Sequence, residues 1–582
     1  MSDLTNRQIA AAFDELADLY ELDGAIVHRV VAYRNAARAV RDAPVSVATL
    51  AQEGRATDLP GIGATLQEKV IALVQTGDIP SAVKLRARFP AGLVAITRLP
   101  GLGPKRARRL HDELGIDSPE ALRAAVEGHA LRDLKGFGPR AEENILTALD
   151  AATADGAGDR VLLDRALAVA EPLVAALREH PASVRVELAG SVRRMTDSVK
   201  DLDVIATARD PAALAEAVAS LDFVEEVHSS GPAGARVVTH SGMKVDLKIV
   251  APDQFGNLLQ HFTGSKQHNE ALRRNAVRRG LHVSEYGVLD DASGETHRCT
   301  TEAQVYALLG LEYIEPELRE NRGELEAAAQ GRLPRLVRER DLRGDLHCHT
   351  IASDGRNTVE EMAHAALDRG YQYLAITDHS ATHGFGNDVS PEQLERQIEL
   401  VAEVNARVDG IELLAGSEVN ILPDGSPDYD DELLERLDWV IASVHSSFRI
   451  GERAMTERIV TAMEHPLIDA IGHLTGRMIE RRAPYAVDIG RIVEAAARTG
   501  TMLEINANPN RRDLSDVHAR AAADAGVPVL VNSDAHGTDT MSSVVRYGIA
   551  TARRAWLERR HVANTRTWKQ FAPMRKRARR RQ

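Results

Sequence analysis

The 582-residue chain has only two cysteines, Cys299 and Cys348, no apolar run of 18 residues and no surplus of positive charge. Two cysteines cannot build a disulfide framework and suit a reducing cytosol. Without a long apolar run, no membrane span is expected. The start, Met1-Ser2-Asp3-Leu4-Thr5-Asn6-Arg7, lacks the basic-then-apolar pattern of a secretory signal. A formal net charge of −13 excludes a uniformly basic nucleic-acid coat, so any DNA contact must come from local patches. Charged residues at 27% and hydrophobic residues at 44% are ordinary for a globular chain, and the length suggests about four domains.

The first stretch that carries chemistry is Gly190-Ser191-Val192-Arg193-Arg194, followed by Lys200-Asp201-Leu202-Asp203-Val204-Ile205. Residues two apart on a strand share a face, so Asp201 and Asp203 present adjacent carboxylates. An Asp-x-Asp at a strand end is by itself most often a solvated edge. Here a second apolar strand, Met243 to Val250, adds Asp246. Three carboxylates on neighbouring strands suit two metals that activate an attacking oxygen and stabilise a leaving phosphate. Gly190, Ser191 and Arg194 can hold a triphosphate through backbone N–H, hydroxyl and guanidinium.

With His261-Phe262-Thr263-Gly264-Ser265, Asn269, Arg273 and Ser284-Glu285-Tyr286, this region resembles the family X DNA polymerases related to polymerase beta. The resemblance implies that Phe262 and Gly264 line the sugar pocket, Asn269 contacts the incoming base and Arg273 reaches the template minor groove. The chain departs from the family at His261, where tyrosine is usual, and at Lys200, where glycine is usual. The first departure bears on sugar discrimination, the second on the geometry of the triphosphate loop.

Residues 1 to about 150 have apolar residues at helical spacing. Three pieces recur there, Leu59-Pro60-Gly61-Ile62-Gly63, Leu99-Pro100-Gly101-Leu102-Gly103 and Leu134-Lys135-Gly136-Phe137-Gly138, each running into a helix. They resemble helix-hairpin-helix motifs, whose exposed N–H groups at the second helix bind DNA phosphate without reading sequence. One such pentapeptide is an ordinary helix turn; three copies, with Lys105, Arg106, Arg108 and Arg109 after the second, point to DNA. Leu59 to Lys69 also resembles the family's lyase subdomain, which implies Lys69 as a Schiff-base lysine, with His28, Tyr33 and Arg34 nearby.

Beyond residue 340 strands and helices alternate, which implies parallel strands with helical crossovers. Seven candidate strands run toward His347 and His349, His379, Glu418, His445, His473, Asn506, and Asp534 with His536; Asp354 follows the first. Functional residues gather at the carboxyl ends of strands in a parallel barrel. A lone His-x-His is usually core or loop, but nine ligand types on successive strand ends are hard to explain by chance. Period-two alternation places Cys348 opposite His347 and His349, in the packing. The imidazole–carboxylate mixture suits Zn²⁺ or Mn²⁺. The set resembles the PHP domain, a distorted seven-stranded barrel holding up to three metals.

The expectation is therefore a multidomain chain: an N-terminal all-α helix-hairpin-helix region, an α/β nucleotidyltransferase palm and thumb, and a C-terminal PHP (βα)7 distorted barrel. The expected divisions are a lyase-like domain at 1–85, a second DNA-binding subdomain and linker at 86–159 and the palm at 160–256. The nucleotide-binding and thumb region comes next at 257–320, then a connector at 321–340, the barrel at 341–573 and a disordered basic tail at 574–582. The resemblance implies a monomeric, cytoplasmic, nucleoid-associated repair polymerase that fills gapped or primer-template DNA with dNTPs, using Mg²⁺ or Mn²⁺ at Asp201, Asp203 and Asp246. The barrel, with Mn²⁺ or Zn²⁺, would be a 3′–5′ exonuclease that also cuts at abasic sites. Two other readings stay open at this level, a phosphoesterase of the histidinol-phosphatase type with a vestigial front half and a non-catalytic DNA-binding scaffold.

Overall fold

The structure, a computed structural model, describes residues 4–580 except 100, 133, 135, 154–159, 383, 385 and 386. Pro100, Lys135 and the linker residues Ala154 to Gly158 lie outside the described residues. The chain divides into two compact units. One comprises residues 1–161, 165–188 and 200–251; the other comprises 162–164, 189–199 and 252–582.

The first unit begins with short helices around one apolar core that includes Phe13, Leu16, Val70 and Leu110. The three repeated pentapeptides share a left-handed backbone at their first glycine. Gly61, Gly101 and Gly136 have φ of +88°, +84° and +94°, a region costly for any residue with a Cβ. The apolar residue after each glycine, Ile62, Leu102 or Phe137, is buried. Each hairpin then enters a helix, Ala64–Thr76, Pro104–Leu114 or Pro139–Thr153. Glycine bends the chain and its neighbour anchors the bend.

A five-stranded sheet completes this unit: β1 (Ser183–Leu188), β2 (Asp201–Ala208), β3 (Val224–Gly231), β4 (Gly234–Thr239) and β5 (Lys244–Ile249). The spatial order is β1-β2-β5-β4-β3. Strands β2 and β5 pair parallel with Asp203 opposite Asp246, whereas β4 and β5 pair antiparallel with Arg236 opposite Asp246.

The second unit contains the helices Phe255–Thr263 and Lys266–Val277 and a seven-stranded parallel sheet. The sheet strands are β6 (Gly344–Asp345), β7 (Tyr373–Ile376), β8 (Glu412–Asn420), β9 (Trp439–Ser443), β10 (Ala470–Ile471), β11 (Met502–Asn506) and β12 (Val529–Asn532), in sequence order. A parallel bridge from Cys348 to Ala535 joins the two edges into a barrel. Alternate residues face in and out: Tyr373 and Ala375 pack inside with Trp439 and Phe571, while Leu374 and Ile376 pack outward under the helices. The aromatic plug fills the barrel base and leaves the opposite, carboxyl end for polar groups.

Two expectations fail here. The connector, expected from its charged, helical pattern to be poor in core residues, places Leu325, Ala328 and Leu336 in the apolar core of the thumb and Val337 in that of the barrel. Nor is the tail disordered at its start. Lys576 is buried, its N–H donating to Asp469 and its ammonium to the carbonyls of Met463 and His465. Buried Asp469 supplies a countercharge that composition alone does not reveal. No helix among the described residues is long and apolar enough to cross a membrane.

Candidate active sites

The carboxyl ends of β6 to β12 bring nine ligand-type side chains together. Among the described residues they form four overlapping groups with ligand atoms within 4.8 Å of one another: His349, Asp354, His379 and His536; His347, His349 and Asp534; His347, Glu418 and His473; and His379, Glu418 and His445. All nine residues singled out from the sequence belong to these groups. Cys348 does not: its thiol donates to the carbonyl of Ala375 at 3.3 Å, inside the apolar core.

Glu418 is the hub. It is fully buried, and imidazole nitrogens of His347, His349, His379, His445 and His473 lie 2.9–3.6 Å from its oxygens. Yet neither oxygen makes a hydrogen bond, and His347 Nε2, His349 Nδ1 and His473 Nδ1 are also buried without one. Leaving so many buried polar atoms unsatisfied is costly unless something else binds them. Two ligands on one ion, each about 2.1 Å from it, stand roughly 3 to 3.4 Å apart. The spacing and the donor chemistry therefore fit divalent metals, which Glu418 and the surrounding imidazoles would hold.

The titration behaviour of the protein groups reflects the crowding. Burial, then His379 and His536, push His349 down to about 4. Burial also pushes His445 down to about 4. Against the cost of burial, Asp354 and Asp534 hold His536 up at about 9. Burial opposes ionisation of Glu418, but the surrounding histidines keep it well below the usual carboxylate range.

Sequence reasoning missed the residues that hold these side chains. Glu504, at the centre of β11, accepts from His347 Nδ1 at 2.7 Å, from Asn532 at 3.0 Å and from the His473 N–H at 2.8 Å. Asp378, buried beside His379, accepts from the Thr350 N–H and hydroxyl and from Gln397, and so fixes the turn between His349 and Asp354. Asn506 donates to Asp534 at 2.9 Å. Polar residues on or just beyond these same apolar strands were the available signal.

In the first unit, Asp203 and Asp246 face each other across β2 and β5, with Asp201 on the same face as Asp203. The three do not form a group as tight as those in the barrel. Asp246 instead has Arg236 Nε at 3.4 Å and Lys248 Nζ at 3.5 Å. Arg236 sits opposite it on β4 and Lys248 two residues along β5, which partly neutralises the carboxylate.

The second unit carries the other residues singled out for nucleotide binding. Gly190 opens the short helix Gly190–Arg193 with φ +65°, and Ser191 is half-buried. Arg193 makes a two-pronged contact with Glu302 and also donates to Thr263. Arg194 donates to the Thr263 carbonyl at 2.5 Å and to Glu320 at 3.1 Å. Its guanidinium thus holds the turn at Gly264 (φ +67°) rather than lying open for a phosphate. Asn269 accepts from Gln260 and donates to the His261 carbonyl at 2.7 Å, fastening the same turn. His261 is half-buried, 3.8 Å from Glu285, with its ring tilted against Phe262. Arg273 is exposed.

In the N-terminal region, Lys69 is half-buried, donates to Ser81 at 3.1 Å and lies 5.9 Å from the centre of the Tyr33 ring. Arg34 turns away to Asp18, and His28 is exposed. Arg106 joins two hairpins, donating to the carbonyls of Gly101 and Gly136 at 2.7 and 2.6 Å. Arg109 pairs with Glu113. Lys105 is exposed next to the second hairpin.

Four segments of the chain match known families. Residues 4–79 match a helix-hairpin-helix domain, 94–151 a SAM-like helix-hairpin-helix tandem, 258–320 the DNA polymerase beta thumb and 345–508 the PHP domain. The chain is 37% identical over 565 residues to a Bacillus subtilis (strain 168) protein named DNA polymerase/3′-5′ exonuclease PolX, covering 97% of this chain and 98% of that one. It is also 36% identical over 211 residues to a probable phosphatase of Caldanaerobacter subterraneus subsp. tengcongensis, a match covering 33% of this chain and 75% of the relative. A probable phosphatase of Thermoanaerobacter sp. (strain X514) is 35% identical over 211 residues, again 33% of this chain and 78% of the relative.

Proposed function

From the premise that this chain belongs to the family X DNA polymerases with a C-terminal PHP domain, we propose that it is a DNA polymerase and 3′–5′ exonuclease of cytoplasmic, gap-filling DNA repair. The observation that carries the reading is the conjunction of two acidic or imidazole centres: Asp203 opposite Asp246 on paired strands, and nine ligand types gathered around Glu418.

In the polymerase half, Asp201, Asp203 and Asp246 would hold Mg²⁺ or Mn²⁺, and Asp246 would accept the proton of the primer 3′-hydroxyl. Phe262 and the backbone at Gly264 would bound the sugar of the incoming dNTP, and Gly190 and Ser191 would meet its triphosphate. Arg273, being exposed, can reach the template strand. The helix-hairpin-helix regions would hold the flanking duplex through backbone N–H groups. Metals at such sites lower the pKa of a bound nucleophile and stabilise charge on phosphoryl oxygens. The protein acts alone as a monomer on gapped or primer-template DNA in this reading.

In the barrel, His347, His349, Asp354, His379, Glu418, His445, His473, Asp534 and His536 would hold up to three Mn²⁺ or Zn²⁺ ions. Glu504 orients His347, and the buried shell of Asn506 and Asp378 keeps the carboxylates and imidazoles aimed inward. The same site would cleave at abasic positions, and Lys69 would remove 5′-deoxyribose phosphate.

The likeness of the barrel to the probable phosphatases favours a second reading for that site alone, hydrolysis of a small phosphate monoester. One experiment separates these readings. A 3′-labelled and a 5′-labelled gapped primer are incubated with and without dNTPs, in Mg²⁺ and in Mn²⁺, beside histidinol phosphate. Extension with dNTPs and shortening from the 3′ end without them are expected. Monoester hydrolysis with neither DNA activity would reject the polymerase–exonuclease reading.

A further inference from the structure

The loop that joins the proposed triphosphate-binding residues to the proposed metal-binding strand is gripped by arginines of the barrel. Arg512 is fully buried, and its guanidinium donates to the Met195 carbonyl at 3.0 Å and lies 3.2 Å from Asp197 Oδ1. Arg477 pairs with the other oxygen of Asp197 at 3.0 Å. Arg554 donates to the Arg194 carbonyl and to Glu320, each at 2.9 Å, and Glu320 in turn accepts from Arg194. Three arginines thus converge on four consecutive residues, Arg194 to Asp197. Met195, in their midst, has φ +56°. A side-chain-bearing residue persists in that region only where its surroundings over-determine it, and such positions cluster at functional sites.

The arginines are themselves fixed. Arg477 donates to the carbonyls of Arg511 and Arg512, and Arg512 Nε donates to Thr551 at 2.9 Å. Arg511, next in sequence, lies 3.7 Å from the ligand-type Asp534. An apolar contact would join loop and barrel at less desolvation cost, since a buried ion pair gains little net stability. What directional guanidinium contacts add is one defined geometry.

We propose that Arg512, acting through Asp197 and the Met195 carbonyl, is a positioning residue of nucleotidyl transfer. It sets the conformation of the Gly190–Asp197 loop, and the barrel thereby serves the polymerase reaction as well as its own. The inference rests on the assignment of Gly190, Ser191 and the three aspartates to dNTP binding. It predicts that loosening the grip weakens dNTP binding while leaving DNA degradation intact.

The test uses the full-length enzyme on a one-nucleotide gap at varied dNTP concentration, with Asp197→Asn, Arg512→Lys and the conservative Asp197→Glu. Asp197→Asn and Arg512→Lys are expected to raise the apparent KM for dNTP about tenfold, with kcat falling less than about threefold. Asp197→Glu should recover most of the loss. Thermal midpoint and 3′–5′ degradation of single-stranded DNA by Asp197→Asn should match the wild type. A wild-type KM in both Asp197→Asn and Arg512→Lys overturns the proposal. So does a rise in KM that comes with an equal loss of thermal stability and of degradation. A wild-type enzyme that inserts no nucleotide overturns instead the dNTP-site assignment beneath it.

Discussion

The Nδ1 atom of His347 stands 2.7 Å from Oε1 of Glu504, and both side chains are completely buried. With Nδ1–H donating to the carboxylate, His347 turns its Nε2 toward Glu418 and Asp534, 3.3 and 3.6 Å away. The carboxylate thereby fixes the ring orientation and keeps Nε2 as the atom that faces the site.

Glu504→Gln should keep the shape of the site but weaken that bond and set an amide donor against Asn532 and the His473 N–H. Metal affinity is expected to fall roughly 10- to 100-fold. Equilibrium dialysis against Mn²⁺ or Zn²⁺ measures it, and unchanged stoichiometry at limiting metal would show that Glu504 plays no part.

The two chemistries should separate. Asp203→Ala removes a carboxylate paired with Asp246 and is expected to abolish primer extension, a loss of about 4 kcal/mol or more in transition-state stabilisation. Degradation from the 3′ end should persist in the same preparation. Loss of both activities in folded protein would mean that they share one centre.

Glu302 ties the thumb together. It is 5% exposed and contacts both Arg193 and Arg319. Burial alone would raise its pKa, but Arg319 and Arg193 hold it down at about 2 against an ordinary 4.5. Because the folded value is depressed, its stabilisation is complete above pH 4.5 and disappears as pH falls toward 2. The stake is on the order of 3 kcal/mol. Glu302→Gln should lower the thermal midpoint at pH 7 and flatten its dependence between about pH 5 and 2, measured by calorimetry. A parallel pH profile in wild type and variant would count against the ion pair.

Borohydride trapping on a 5′-incised abasic substrate should yield a covalent adduct through Lys69, since an imine can be reduced in place. Lys69 is half-buried, lies against the Tyr33 ring and donates to Ser81. An adduct formed at full yield by Lys69→Ala would assign the chemistry to another amine.

His261 packs against Phe262 with less area than tyrosine would bury, and it also lies near Glu285. His261→Tyr is expected to tighten the turn and raise the deoxy-over-ribo insertion ratio several-fold, where tenfold would correspond to about 1.4 kcal/mol. Single-nucleotide insertion kinetics at fixed metal and pH read it directly. An equal ratio would mean that Phe262 and the Asn269 bond to the His261 carbonyl already hold the turn.

The sequence by itself determined the features that local periodicity dictates. Strand alternation and the parallel-barrel rule were enough to bring nine ligand types to one end of the barrel and to turn Cys348 away from them into the packing. The glycine pentapeptides announced three hairpins, because tolerance of positive φ is a property of the residue itself. Only the tertiary structure decided which charges meet. Glu504 reaches His347 across 157 residues, and Asp469 captures a tail that looks unattached in sequence. Arg106 and Arg194, both legible as phosphate contacts, turn to backbone carbonyls instead. A guanidinium has the same appearance in a sequence whether it faces solvent, phosphate or a carbonyl. Its partner is chosen by how helices and strands distant along the chain pack, since a buried charge must take whatever acceptor that packing brings within reach.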